Sequence, residues 1–274
     1  MRMRFKPYAR PELLASSVHA HEPMANKGKW KSVFARPGQP LHLELGCGKG
    51  GFLAKLAVKN PGINYLGIDI TDKVLILAKR NIDKEYAAAH ITPDNVQIMS
   101  LDIERIDNAF APADTVDRIY INFCNPWNVK ASHKKHRLTY PRQLMLYREF
   151  LAPEGEVYFK TDDSDLFEDS LKYFEAAGFT VTWFTRDLHA DEPEWNIRTE
   201  HENMFTQQGI PTKALIAVKG PLSEEGRQHC LQYDKLVDGP LRRAAAAAEE
   251  ERIAAEKAAR KAAWEAGHAK GKKK

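Results

Sequence analysis

Cysteine is scarce in this chain of 274 residues: Cys47, Cys124 and Cys230 are odd in number, far apart and never in a Cys-x-x-Cys spacing. That excludes a disulfide framework and a cysteine-built zinc site, and points to reduced thiols in a cytosol. Long apolar runs are missing too. No stretch approaches the roughly 18 to 20 consecutive residues that span a bilayer, and the opening Met1-Arg2-Met3-Arg4-Phe5-Lys6-Pro7 lacks the apolar core of a signal peptide. A cytoplasmic protein with no membrane partner is expected. With 15 Pro, 16 Gly and 43% hydrophobic residues, the chain is neither a disordered segment nor a fibrous repeat, and it is long enough to bury a substantial core. No metal is expected either, because His133 and His136 are flanked by lysines that repel a cation.

Net charge is only +4, but it is segregated. Residues 1–40 carry a net +6 and residues 242–274 a net +5, which leaves 41–241 at −7. Inside that acidic body, Trp127 to Arg148 holds Lys130, Lys134, Lys135, Arg137, Arg142 and Arg148 with no acid. Basic ends and a basic internal run suggest a polyanion gripped at several places, although each run alone could be a solvated face.

Three regions follow: a basic, partly ordered arm over 1–40, one folded domain over 41–220, and a C-terminal extension over 221–274. Within the domain, short β-branched or aromatic runs alternate with helical segments, the pattern of a mainly parallel sheet covered on both faces. Strands are expected at 41–46, 64–69, 96–102, 117–123, 156–161, 180–185 and 213–218, and helices at 49–59, 72–88 and 164–177. Ser164 suits an N-cap and Gly178 a C-cap. The polar link from Asp187 to Thr212 contains Pro193, Gly209 and Pro211, so a long hairpin and an antiparallel last strand are expected. Residues 242–269, rich in Ala, Glu, Lys and Arg, predict one long helix whose sizeable apolar anchors are Ile253 and Trp264; the end from Lys270 should be disordered.

The first strand leads into Gly46-Cys47-Gly48-Lys49-Gly50-Gly51. Glycines let the backbone turn sharply and approach a ligand, and a helix N-terminus follows. The pattern satisfies the dinucleotide fingerprint, with Asp69 where a ribose-binding acid belongs. Glu44, however, puts a carboxylate where a pyrophosphate would lie. This disfavours a dianion and favours a cationic ligand such as S-adenosyl-L-methionine, which carries a sulfonium and an ammonium group. Asp102, after the third strand, could accept from the adenine amine. Each acid alone reads as a surface or capping residue, but three at consecutive strand ends favour cofactor binding.

The fourth strand stops at Cys124-Asn125-Pro126-Trp127, a rigid corner offering amide groups and a stacking face. With it the sequence resembles the bacterial tRNA (guanine-N7)-methyltransferase family over roughly residues 40–220. That family's Asp-Pro-Trp-Pro and following basic stretch correspond to Asn125-Pro126-Trp127-Asn128 through Lys130, His133, Lys134, Lys135 and His136 to Arg137-Leu138-Thr139. Its Phe-Lys-Thr-Asp matches Phe159 to Asp162, its Asp-Leu-His matches Asp187 to His189, and its Thr-x-x-Glu matches Thr199 to Glu202. Asparagine replaces the usual aspartate at 125 and the usual proline at 128, and the loop is one residue longer.

The resemblance implies a Rossmann-like class I methyltransferase, and methyl transfer from S-adenosyl-L-methionine to N7 of a guanosine in the tRNA variable loop. By matching position, Glu44, Asp69, Asp102 and Asn125, with Gly46, Gly48 and Gly50 of the turn, would line the cofactor. Trp127, Lys130 or a neighbouring lysine, Asp162, Thr199, Glu200 and Glu202 would hold the substrate, with Asn125 and Asp162 nearest the chemistry. Thr199 and Glu202 also fit a helix capping box. Two other readings stand: amine methylation of adenine in RNA, and an RNA-binding protein that has lost transfer; a dehydrogenase ranks last. Oligomeric state is not legible, and a monomer is the default.

Overall fold

Strand β1 (Leu41–Leu45) is buried at every residue, as a strand covered on both faces must be. The computed structural model describes residues 6–271, and side chains as far as Lys261. Around β1 lie β2 (Asn64–Asp69), β3 (Val96–Ser100), β4 (Val116–Asn122), β5 (Leu151–Thr161), β6 (Phe179–Thr185) and β7 (Lys213–Lys219), in the order β3-β2-β1-β4-β5-β7-β6. β7 runs antiparallel to both its neighbours; the other pairings are parallel. The order reverses between β1 and β4, which opens a crevice at their carboxyl ends.

Helices α2 (Gly51–Lys59), α3 (Asp72–Ala88) and α5 (Ser164–Ala176) follow the apolar periodicity, burying Leu53, Leu56, Leu75, Ile82 and Phe174. Asp163, not Ser164, caps α5: its carboxylate accepts from the Leu166 N–H at 2.7 Å, and Ser164 is the first helical residue. Gly178, at φ +70°, ends that helix. Helix α4 (Pro141–Phe150), which supplies the β4–β5 crossover, is not among the helices read from sequence; Pro141 starts it, and Leu144, Met145, Tyr147 and Phe150 are buried. The β6–β7 pair is the expected antiparallel joint, and its long link contains α6 (Glu200–Gln207). Helix α7 (Glu224–Leu231) follows β7.

From residue 6 the N-terminal segment is packed rather than partly ordered. It contains α1 (Ala9–Leu14), and it covers the β3 edge through Ile98 N–H to Val18 O (2.8 Å) and Ala20 N–H to Ile98 O (2.9 Å). Trp30 is fully buried, donating to Ala109 O at 2.7 Å. Its cations are spent largely within the chain, Arg10 on Asp72 and Arg36 on Asp94.

Residues 232–274 form a separate unit. In it a π-helical turn, Asp234–Asp238, leads into α8 (Gly239–Gly271), where Arg252 bridges Glu249 and Glu256. Ile253 is exposed; the Trp264 side chain and residues 272–274 lie outside what is described. Among the described residues, no helix is long and apolar enough to cross a membrane.

Candidate active site

Between β1 and α2 the backbone turns through Gly46 (φ +77°), Gly48 (φ +53°) and Gly50 (φ +70°), a region costly for any residue with a Cβ. Gly50 is doubly constrained, since a Cβ there would sit 2.7 Å from that of Ala78. The N–H groups of Gly46 and Cys47 both donate to Ile68 O at 2.9 Å, pinning the turn to β2.

The three expected acids all lie at this rim. Glu44 is 3% exposed. One oxygen accepts from Asn122 Nδ2 at 3.1 Å; the other is buried without a partner. Burial pushes its carboxyl up to about 8, against the opposing pull of the Asn122 hydrogen bond and the Lys160 charge. Asp69 accepts from the N–H groups of Gly48 (3.0 Å) and Ile70 (2.7 Å); burial raises its pKa, and those N–H bonds oppose the rise. Asp102 caps a short 3-10 turn, accepting from Glu104 N–H at 3.1 Å.

Two clefts open along the rim. One is lined by Glu44, Gly48, Gly50, Thr199 and Glu200, the other by Asp69, Asp102, Asn125 and Trp127. Gly46 and Phe123 line both. The structure therefore brings together the glycine turn, the three acids, Asn125, Trp127, Thr199 and Glu200. Asp162, just past β5, Lys130 and Glu202 line neither cleft.

At the β4 corner, Asn125 Oδ1 accepts from Trp127 N–H at 3.0 Å, closing an Asx turn. Arg137, fully buried, donates to Pro126 O at 2.7 Å and to Asp169 at 2.6 Å, which Lys134 also reaches at 2.6 Å. Arg148 is spent on the carbonyls of Ala177, Gly178 and Gly220. Half of the internal basic run is thus structural, while Lys130, Lys135 and Arg142 stay exposed. His136 is half-buried, 2.8 Å from Glu104 and against the Trp127 ring.

Helix α6 begins with the capping box: Thr199 Oγ1 accepts from Glu202 N–H at 3.0 Å, and the Glu202 carboxylate accepts from Thr199 N–H at 3.2 Å. Glu202 is fully buried and holds Lys160 Nζ at 2.7 Å, so its carboxylate ties α6 to β5 instead of facing the cleft. Glu200 is exposed and pairs with Lys49 of the glycine turn at 2.7 Å. His189, Glu192 and Glu202 bring one ligand atom each within 4.8 Å of one another. Lys160 and Arg198 already occupy the two carboxylates.

Residues 38–215 match the model of a putative methyltransferase family. The chain is 54% identical over 219 residues to the tRNA (guanine-N(7)-)-methyltransferase of Clostridium perfringens (strain SM101 / Type A), covering 80% of this chain and 100% of that one. It is likewise 54% identical over 219 residues to the enzyme of that name from Clostridium beijerinckii, at 80% and 99% coverage. The chain belongs to the tRNA (guanine-N7)-methyltransferase family. The site fits the cofactor of such a family member: a buried, unpartnered carboxylate oxygen on Glu44 and two further acids suit a ligand carrying an ammonium group and hydroxyls better than a dianion, and the Gly48 N–H is committed to Asp69.

Lys160, Asn122, Lys49 and Phe123 are absent from the site residues read from the family's pattern. Lys160 had a signal: a lysine inside a central strand cannot be buried without a carboxylate partner, and Glu202 is that partner. Asn122, Lys49 and Phe123 have no comparable mark in the sequence.

Proposed function

We propose that this protein transfers the methyl group of S-adenosyl-L-methionine to N7 of a guanosine in the variable loop of tRNA, working in the cytoplasm. What carries the reading is the 54% identity to proteins of that name, along their full length, on a chain whose acids gather at the β1–β4 crevice. Glu44 would hold the donor's ammonium, Asp69 its ribose hydroxyls and Asp102 its adenine amine. When bound, the donor supplies a methyl on a sulfonium sulfur; as the N7–carbon bond forms and the carbon–sulfur bond breaks, a neutral thioether leaves and positive charge passes to the guanine ring.

Guanine N7 carries an in-plane lone pair and no proton, so no general base is needed and alignment supplies most of the rate. Asn125 offers a carbonyl oxygen to the developing charge, weaker than the family's carboxylate. Asp162, whose carboxylate has no partner among the described residues, is suited to accept from guanine N1–H and N2–H₂ together, which adenine cannot offer. Thr199 and Glu200 would border the substrate from α6, Trp127 would give the base a stacking face, and Lys130 would contact phosphate.

Nucleoside analysis of unmodified tRNA incubated with the protein and S-adenosyl-L-methionine tests this. 7-Methylguanosine should appear. A methylated adenine amine, or no product in a single-turnover assay, would overturn the reading in favour of one of its rivals.

A further inference from the structure

Phe123 stands where the two clefts meet, a position it shares with Gly46 alone. It is an unusual residue for the place. Its φ of +51° is in the left-handed region, which bulky side chains avoid, and its N–H is committed to Lys160 O at 2.8 Å. The ring is backed by α6, nearly parallel to His201 (centroids 6.1 Å, 20°) and Phe205 (5.9 Å, 28°). A half-buried aromatic ring is therefore held, against backbone preference, at the junction of the cleft containing Glu44 and the cleft containing Asp69 and Asp102.

A donor with an amino-acid end and a nucleoside end joined at sulfur, lying across both clefts, has its sulfur at that junction. On this ground, and resting on the function proposed above, we infer that the Phe123 ring forms the wall against the donor's sulfonium and thereby favours the charged donor over its neutral product. The face of an aromatic ring is electrostatically negative and attracts a cation, while a thioether gains only the contact. The residue acts on both ligands through shape and on one of them through charge, which makes the two contributions separable.

Calorimetric dissociation constants for S-adenosyl-L-methionine and S-adenosyl-L-homocysteine, measured on the full chain, separate them. In Phe123→Leu the preference for the charged ligand should fall by about threefold to thirtyfold, and Phe123→Tyr should retain it. If Phe123→Leu fails to fold, pentafluorophenylalanine at position 123 keeps the shape and removes the negative face, and the same loss of preference is expected. If both constants weaken in step, or neither changes, the ring is only a spacer and the inference is overturned. Failure of the unaltered protein to bind either ligand would instead overturn the proposed function itself.

Discussion

With the donor's ammonium on Glu44, as proposed, affinity for the cofactor should depend on pH, with a slope and a ceiling that follow from the surroundings of that carboxyl. With its carboxyl pushed up to about 8 by burial, the ligand-free protein at neutral pH holds it protonated about ten to one. A cationic ammonium requires the carboxylate, so binding at pH 7 should release about 0.8 proton net of the small uptake by the ligand's own amine. The apparent affinity should then rise roughly eightfold from pH 6 to pH 7, peak near pH 8, and fall above it as the ligand's own α-ammonium titrates. Glu44→Gln keeps an acceptor for Asn122 Nδ2 but abolishes the acid limb. It should also weaken binding at pH 8 by ten- to a hundredfold, the scale of a lost charge-assisted hydrogen bond. Stability moves the other way. A carboxyl whose folded pKa lies above its ordinary 4.5 contributes fully below that value and loses its contribution as pH rises toward about 8. At pH 7 the cost is on the order of 3 kcal/mol, so Glu44→Gln should melt higher than the unaltered ligand-free protein at pH 7 and no higher at pH 4. Isothermal titration in two buffers of different ionisation enthalpy, beside thermal melts, measures both. A pH-independent affinity between pH 6 and 8, or a Glu44→Gln variant that keeps the slope, would refute the reasoning.

At position 125, Asp accepts from Trp127 N–H as Asn does and adds charge, so Asn125→Asp should raise single-turnover rate at least tenfold, while Asn125→Ala should lower it and loosen the corner; equal rates for Ala and Asn would remove this residue from the chemistry. Glu202→Gln leaves Lys160 buried without its counter-charge and should cost about 3–5 kcal/mol in denaturant melts, whereas the paired Lys160→Met, Glu202→Leu change should cost less than either single change. Affinity for tRNA should fall as a power of salt concentration, and replacing Lys130 and Lys135 together should lower the log–log slope by about 2, whereas Lys134→Ala should lower the melting temperature, because Lys134 is bound to Asp169.

Much of the sheet was legible because β-branched and aromatic runs separated by amphipathic helices have few other solutions; the β7 reversal was legible in the absence of a crossover between residues 187 and 212. Helix α4 was hidden because Arg142 and Arg148 made its stretch look like a basic loop, although Leu144, Met145, Tyr147 and Phe150 share a buried face. The rim acids were visible because topology alone brings consecutive strand ends to one edge. What sequence could not reveal is the fate of each charge. Arg137 and Lys130 belong to the same run, yet one is entirely buried and the other exposed; the difference lies in Asp169, which only the packing of α5 brings near. The N-terminal cations were misread for the same reason, their acids lying more than fifty residues away in sequence.

That redistribution bears on how an acidic cleft can serve a polyanion at all. In the proposed arrangement Glu44, Asp69 and Asp102 would attract a cationic donor and repel phosphate, so the RNA backbone would have to stay outside while one base enters. Guanine is neutral and presents hydrogen-bond donors on the edge away from N7, so a carboxylate such as Asp162 attracts the base where it would repel its phosphate. The exposed cations at Lys130 and Lys135 sit just beyond the corner that carries Asn125, where they can hold flanking phosphates without compensating the acids inside. Attraction for the donor and attraction for the RNA therefore need opposite fields a short distance apart. Lys134 and Arg137, both held by Asp169, brace the corner instead of projecting into the cleft, an arrangement that would keep the two fields from cancelling.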